Sequence, residues 1–181
     1  MKNKILLVDA SGSMSSYEFE TCSAIKSVIE SLEPNTRLTL VYFDSGEYEV
    51  VAKDYAKNIN PDVAQKYSAR GSTPITDAFY KAIQDATDEV KEIESLSGDY
   101  TIILYCDGGE NDSKYATPEM LAAAIEHMTQ YFGWKFQFLG PKSEGRSISQ
   151  YAESIKIKSE DVTLYASMSE GLKEMKEKVL A

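Results

Sequence analysis

Residues 5–15 read ILLVDASGSMS. The run Ile5-Leu6-Leu7-Val8 is apolar without alternation, as expected of a strand covered on both faces. It stops at Asp9, where the chain places one carboxylate and two hydroxyls at alternate positions: Asp9, Ser11 and Ser13. These are hard oxygen donors on a short surface loop at a strand end. Such donors suit Mg²⁺, Mn²⁺ or Ca²⁺, and suit Zn²⁺ or Cu²⁺ poorly. Two further segments supply what a metal site would still need: Gly71-Ser72-Thr73-Pro74 and Tyr105-Cys106-Asp107-Gly108-Gly109.

Outward from this stretch, strand and helix patterns alternate. The first strand is Lys4 to Val8. Ser16 to Leu32 carries Phe19, Cys22, Ile25, Ile29 and Leu32 at helical spacing. Leu38 to Phe43 is a second strand, and the turn Asp44-Ser45-Gly46 returns Tyr48 to Ala52 as a half-exposed hairpin edge. Asp54 to Gly71 is polar and irregular, with one helical turn after Pro61. Pro74 opens a helix to about Ser95, its missing N–H costing nothing in a first turn. The apolar stripe of that helix is Phe79, Ala82, Ile83, Ala86, Val90 and Ile93. Tyr100 to Cys106 is the next strand. Thr117-Pro118-Glu119 starts a helix that buries Met120, Leu121, Ala124, Ile125 and Met128 and ends at Gly133. Trp134 to Leu139 is a strand, Ser147 to Ser154 a short helix, Val162 to Tyr165 an edge strand and Ser169 to Leu180 a closing helix. This βα repeat predicts an α/β fold: a doubly wound, mostly parallel sheet with one antiparallel edge strand and helices on both faces. Residues 1–181 are expected to form a single domain.

Composition narrows the function classes. Of the 181 residues, 43% are hydrophobic and 27% charged, as in ordinary globular proteins. No stretch approaches the roughly 20 apolar residues that cross a bilayer. The basic start Met1-Lys2-Asn3-Lys4 is not followed by a full signal h-region and cleavage site and reads as the first buried strand. The reduced thiols expected of Cys22 and Cys106 fit a cytoplasmic protein. A net charge of −10 without a basic cluster disfavours nucleic acid. Cys22 and Cys106 read as reduced, buried thiols rather than a bridge.

The three segments converge by topology. Ligands of an open α/β sheet bind at the carboxyl ends of strands, where strand order reverses. Asp9 and Asp107 each end a strand, and Thr73 leads into the Pro74 helix, so all can meet at one edge. Thr73 precedes proline and is held extended. Two carboxylates with the hydroxyls of Ser11, Ser13 and Thr73 leave a dication electrophilic and one position short of the six that Mg²⁺ takes. A partner's Asp or Glu would fill that position. Blander roles compete: Asp9, Ser11 or Ser13 as helix caps, and Thr73 as the cap of the Pro74 helix. Asp44 and Asp77 read as turn and helix-start residues, and Glu110 and Asp112 as the rim of the site. His127 reads as solvated, and Tyr131, Phe132, Trp134, Phe136 and Phe138 as mostly strand and cap packing.

On these residues the chain resembles a von Willebrand factor type A (VWA) domain, of the kind found in intracellular bacterial and phage proteins. The resemblance covers Lys4 to about Leu139. That family's metal-ion-dependent adhesion site (MIDAS) has the pattern D-x-S-x-S, then T, then D, matched here by Asp9, Ser11 and Ser13, Thr73 and Asp107. VDASGSM, GSTPITDA and DGGEN are all family-like. Cys106 stands where a hydroxyl residue is common, and Gly71-Ser72 where Gly-Gly is common; neither removes a ligand. The resemblance implies a Rossmann-like fold, a Mg²⁺ site (or Mn²⁺, with Ca²⁺ a further candidate) and a protein partner presenting a carboxylate. Intracellular members suggest an AAA+ ATPase or assembly factor as that partner.

The competing class is a metal-assisted phosphohydrolase on a similar sheet, with Asp9 as nucleophile. Enzymes of the haloacid-dehalogenase type need a second acid two positions on, as general acid; here that position is Ser11. The sequence contains no Walker-type loop, Cys-x5-Arg loop or G-x-S-x-G elbow. Binding without catalysis is therefore the expectation.

Overall fold

The computed structural model describes residues 1–92 and 98–181. Strand β1 (Lys2–Asp9) lies at the centre of a six-stranded sheet of order β3-β2-β1-β4-β5-β6. It pairs in parallel with β2 (Arg37–Phe43) on one side and with β4 (Asp99–Tyr105) on the other. β5 (Lys135–Pro141) and β6 (Val162–Tyr165) extend the parallel part. β3 (Tyr48–Tyr55) returns antiparallel to β2 as the one antiparallel edge, with a register shift between Leu40 and Val41. The expected doubly wound architecture is therefore present. Strand order reverses between β1 and β4, which puts the topological switch point at their carboxyl ends.

The uniform apolarity of β1 has a simple cause: both faces are covered. Ile5 and Leu7 join a core with Val41, Phe43, Ile102 and Leu104 under α2 (Ile75–Glu92), α3 (Pro118–Phe132) and α4 (Gly145–Ser154). Leu6 and Val8 point the other way. They meet Leu40, Tyr42, Ile103 and Tyr105 under α1 (Glu18–Ser31) and α5 (Met168–Leu180). Each fully buried aliphatic or aromatic side chain contributes about 1.5–3 kcal/mol, so this two-sided stripe anchors the fold.

Local signals set several boundaries. Thr117 caps α3 by accepting the Met120 N–H, with Pro118 in the first turn. Gly133 ends the helix in the left-handed region at φ 67°, and the N–H of Trp134 reaches the Met128 carbonyl. The first helix departs from expectation. A 3-10 segment (Gly12–Tyr17) precedes α1, and Phe19 is 80% exposed while Thr21, Ile25, Val28 and Ile29 are buried. Phe19 lies two residues before Thr21, about 200° around the helix, and so faces solvent. Cys22 is only partly buried. Met120, expected inside α3, is likewise exposed, as are Tyr131 and Phe132 beyond its last buried residue, Met128. Trp134 is buried and stacked on Tyr100, ring centroids 4.5 Å apart. The expected end of the Pro74 helix at Ser95, and Ile93 in its stripe, lie outside the described residues. Among the described residues no helix is long and apolar enough to cross a membrane.

Gly171, in the first turn of α5, packs directly on the Tyr165 ring. A Cβ there would come within 2.8 Å of ring atoms. That ring is itself stacked on Tyr105 and donates from its hydroxyl to the Cys106 carbonyl, so it has little room to yield. Overpacking costs about 1–3 kcal/mol, which outweighs the helix-propensity gain of about 1 kcal/mol for glycine to alanine. Gly171→Ala is therefore expected to lower the melting temperature, measured by circular dichroism. A rise would mean that the ring moves aside.

Candidate metal centre

The site is built where β1 and β4 end. Val8 pairs in register with Tyr105, so Asp9 and the Cys106-Asp107 segment leave the sheet side by side. Three bonds then fix the β1 loop. The Ala10 N–H donates to the Phe43 carbonyl at 2.9 Å, Arg70 N–H donates to the Ala10 carbonyl at 2.7 Å, and Gly12 N–H donates to the Gly71 carbonyl at 2.9 Å. Gly71 adopts φ +71°, and a Cβ there would sit 2.5 Å from Ser45 Oγ, so glycine is required. The Asp9 carbonyl accepts from the Tyr67 hydroxyl at 2.6 Å. The loop carrying Thr73 is thus bonded along its length to the loop carrying Ser11 and Ser13.

Asp9 Oδ1 accepts the Ser11 N–H at 2.7 Å, a turn made by the aspartate's own side chain. Ser11 Oγ and Ser13 Oγ are 3.1 Å apart, and Ser13 Oγ donates to Asp107 Oδ1 at 2.9 Å. Asp9, Ser11, Ser13 and Asp107 therefore form one cluster. Thr73 is brought to the same loop edge by the Gly12–Gly71 bond and by Asn111, whose Oδ1 accepts the Thr73 N–H at 2.8 Å. The expectation of a surface site needs correction: Asp9 is 0% exposed, and Ser11 and Thr73 are almost as buried. The loops close over Asp9, whereas Ser13 is exposed and Asp107 half-buried.

Asp9 Oδ2 is buried without a hydrogen-bond partner. An unpaired buried acceptor costs about 1–3 kcal/mol, more for a charged group. Burial raises the Asp9 pKa from its ordinary 3.8 to about 7; the Ser11 hydrogen bonds oppose this, and the neighbouring Asp107 charge adds to it. The ionised form of Asp9 is therefore disfavoured unless a cation faces it. The donors fit a hard dication: two carboxylates, one with an oxygen left unpaired, and hydroxyls beside them. Among the described residues no group of three or more His, Cys, Asp or Glu side chains is arranged to hold a metal ion. A metal held by this cluster would need the hydroxyls as donors beside the two carboxylates.

Cys106 points into the core, as expected, its Sγ near the Gly108 carbonyl at 3.0 Å and the Leu139 carbonyl at 3.5 Å. Burial pushes its thiol pKa well up, so it stays protonated and inert. Other polar residues do more than their local sequence implies. Asp44 is buried and accepts from Arg70 Nε at 3.1 Å, tying the β2–β3 turn to the Thr73 loop. Glu110 is not a rim residue: it accepts the Thr76 N–H and hydroxyl. Asp77 accepts three N–H groups, of Lys114, Tyr115 and Ala116. One signal could have found Glu110. Thr73-Pro74 leaves the first N–H groups of α2 without a helix cap of their own, so an acceptor must come from elsewhere. Asn111 stood in the family-like string DGGEN without a role attached to it, and Tyr67 left no trace.

Similarity to known proteins agrees with the fold. The family model described as the von Willebrand factor type A domain matches residues 5–168. Among solved structures, the von Willebrand factor type A protein from Catenulispora acidiphila is similar at TM-score 0.74 and 16% identity, over 99% of this chain and 42% of that one. Proximal thread matrix protein 1 from the mussel byssus, with a zinc-occupied MIDAS motif, is similar at TM-score 0.61 and 19% identity, over 99% and 45%. The vWF domain of the type V pili tip protein Mfa5 from Porphyromonas gingivalis gives TM-score 0.64 and 11% identity, over 98% and 94%. The chain spans less than half the length of the first two. No curated protein matches it. With a family match across nearly the whole chain, the chain belongs to the von Willebrand factor type A domain family.

Proposed function

We propose that the chain is a divalent-metal-dependent protein-binding module. Asp9, Ser11, Ser13, Thr73 and Asp107 are its metal ligands, for Mg²⁺ or Mn²⁺, with Ca²⁺ a further candidate. The observation that carries this reading is the buried, unpartnered Asp9 Oδ2 beside a second carboxylate and two hydroxyls. A bound dication supplies an electrophilic coordination position that a carboxylate of another protein can occupy. The chain's own residues do the rest. Asp9 and Asp107 provide the charge, and Ser11 and Ser13 add neutral oxygens that leave the centre short of full neutralisation. The Ser13 side is the exposed approach. The partner is a protein presenting Asp or Glu, an AAA+ ATPase or assembly factor in a cytoplasmic setting of the intracellular bacterial or phage kind. Binding is favoured over phosphoryl chemistry because Ser11 stands where a general acid would be needed and Asp9 Oδ1 is committed to the Ser11 N–H. The zinc in the mussel protein's MIDAS motif adds Zn²⁺ to the metals worth testing.

Thermal unfolding in EDTA and in Mg²⁺, Mn²⁺, Ca²⁺ and Zn²⁺ tests the reading. A ligand that binds only the folded state adds about 2.7 kcal/mol at a hundred times its Kd. The wild type is expected to melt higher in Mg²⁺ or Mn²⁺ and Asp107→Ala is not. An unshifted wild type in every metal would refute the proposal. A partner captured through the site should elute with EDTA.

The Asp9 carboxyl gives a second test in EDTA. Its folded pKa of about 7 lies above the ordinary 3.8, so the folded state binds the proton more tightly than the unfolded chain. That contribution to stability is complete below about pH 4 and is lost as pH rises through 7. Asp9→Asn, neutral throughout, should melt above the wild type at pH 8, and the gap should narrow towards pH 4. A gap independent of pH would contradict this.

A further inference from the structure

The loop between β4 and α3 and the start of α2 exchange hydrogen bonds in both directions. Glu110 accepts the Thr76 N–H at 2.6 Å and the Thr76 hydroxyl at 3.0 Å. In return, Asp77 accepts the N–H groups of Lys114 at 2.7 Å, Tyr115 at 3.0 Å and Ala116 at 2.7 Å. Ser113 Oγ accepts the Asp77 N–H at 3.0 Å. Asn111 completes the exchange at the site itself. Its Oδ1 accepts the Thr73 N–H at 2.8 Å, and its own N–H donates to the Thr73 carbonyl at 3.2 Å. Both backbone groups of Thr73 are thereby engaged by one residue, four positions after Asp107.

The residues around Thr73 remove most of its remaining freedom. Pro74 has a fixed φ and keeps Thr73 extended. Threonine is branched at Cβ and has few χ1 states. With its backbone held at both ends, the direction of the Thr73 side chain is set by Asn111. We infer that Asn111 is a positioning residue of the metal centre: it locks the Thr73 arm to the Asp107 loop, so that the two are presented to Asp9, Ser11 and Ser13 as one rigid unit. This rests on the metal reading above. Asn111 acts through Thr73 rather than on the ion, and its amide provides the acceptor without adding a charge beside two carboxylates.

Asn111→Leu removes the acceptor at similar size, and Asn111→Asp keeps it. Three measurements apply: Mn²⁺ titration by calorimetry, hydrogen exchange of the Thr73 amide in EDTA, and melting in EDTA to confirm a folded protein. Asn111→Ala takes the place of the leucine variant if that variant is unfolded. Groups that orient metal ligands typically contribute 10–100-fold in affinity. Asn111→Leu is expected to lose about 10-fold or more in Mn²⁺ affinity and to exchange the Thr73 amide faster. Asn111→Asp should restore both. Unchanged affinity in folded Asn111→Leu, or equal losses in the leucine and aspartate variants, overturns the inference. A wild type that binds no Mn²⁺ overturns the metal reading and this inference with it. Faster Thr73 exchange in Asn111→Leu would still be visible in EDTA, which separates that failure from the absence of the Asn111–Thr73 lock.

Discussion

The parallel pairing of β1 with β4 is the constraint on which the rest depends. It places two acidic residues at the ends of neighbouring strands, one of them fully enclosed. Burial makes ionising Asp9 costly, and the neighbouring Asp107 charge adds to that cost. The strands cannot move apart to relieve this, because Leu6, Leu7, Ile103 and Leu104 are locked into cores on opposite faces of the sheet. The hydrophobic stripe thus holds an electrostatic arrangement that is unfavourable by itself. A dication is the species that would reverse its sign.

Polar exchange between loops makes the arrangement rigid. Helix α2 begins without a side-chain cap of its own, and the loop after β4 has N–H groups of its own to satisfy. Each supplies the carboxylate the other lacks, Glu110 in one direction and Asp77 in the other. On the far side, Gly71 bonds to Gly12 and Arg70 to Ala10, so the β1 loop joins the same framework. Asp44 extends it to the β2–β3 turn through Arg70. The loops that carry the five candidate ligands are therefore braced against one another as well as against the sheet.

The sheet and its helices were legible because their signals are local and repeated. Continuous apolar runs marked β1 and β4, Thr117-Pro118 and Gly133 marked the two ends of α3, and turn residues marked the β3 hairpin. The ligand cluster was legible because Asp9, Ser11 and Ser13 are close in sequence and the other two follow strands or precede a helix. What was not legible depends on contacts between distant residues. The depth of Asp9 comes from loops contributed by residues 67–73, and no property of DASGS reports it. The roles of Tyr67, Asn111 and Glu110 arise only once the loops are assembled. Phe19 was misplaced for a different reason: an initial 3-10 segment and the phase set by Thr21 and Ile25 turn it outward, and spacing alone does not fix that phase.

The two edges of the sheet differ in a way that bears on self-association. Open strand edges are templates for another chain's backbone. Here β6 has four residues, and β3 is interrupted by the register shift opposite Leu40 and Val41 and carries Glu49, Lys53 and Asp54. Short length on one side, and a kink with charge on the other, deny a second copy the long flat edge that fibrils need. Many copies crowded on one scaffold or held in a concentrated assembly would therefore resist joining edge to edge into a continuous sheet.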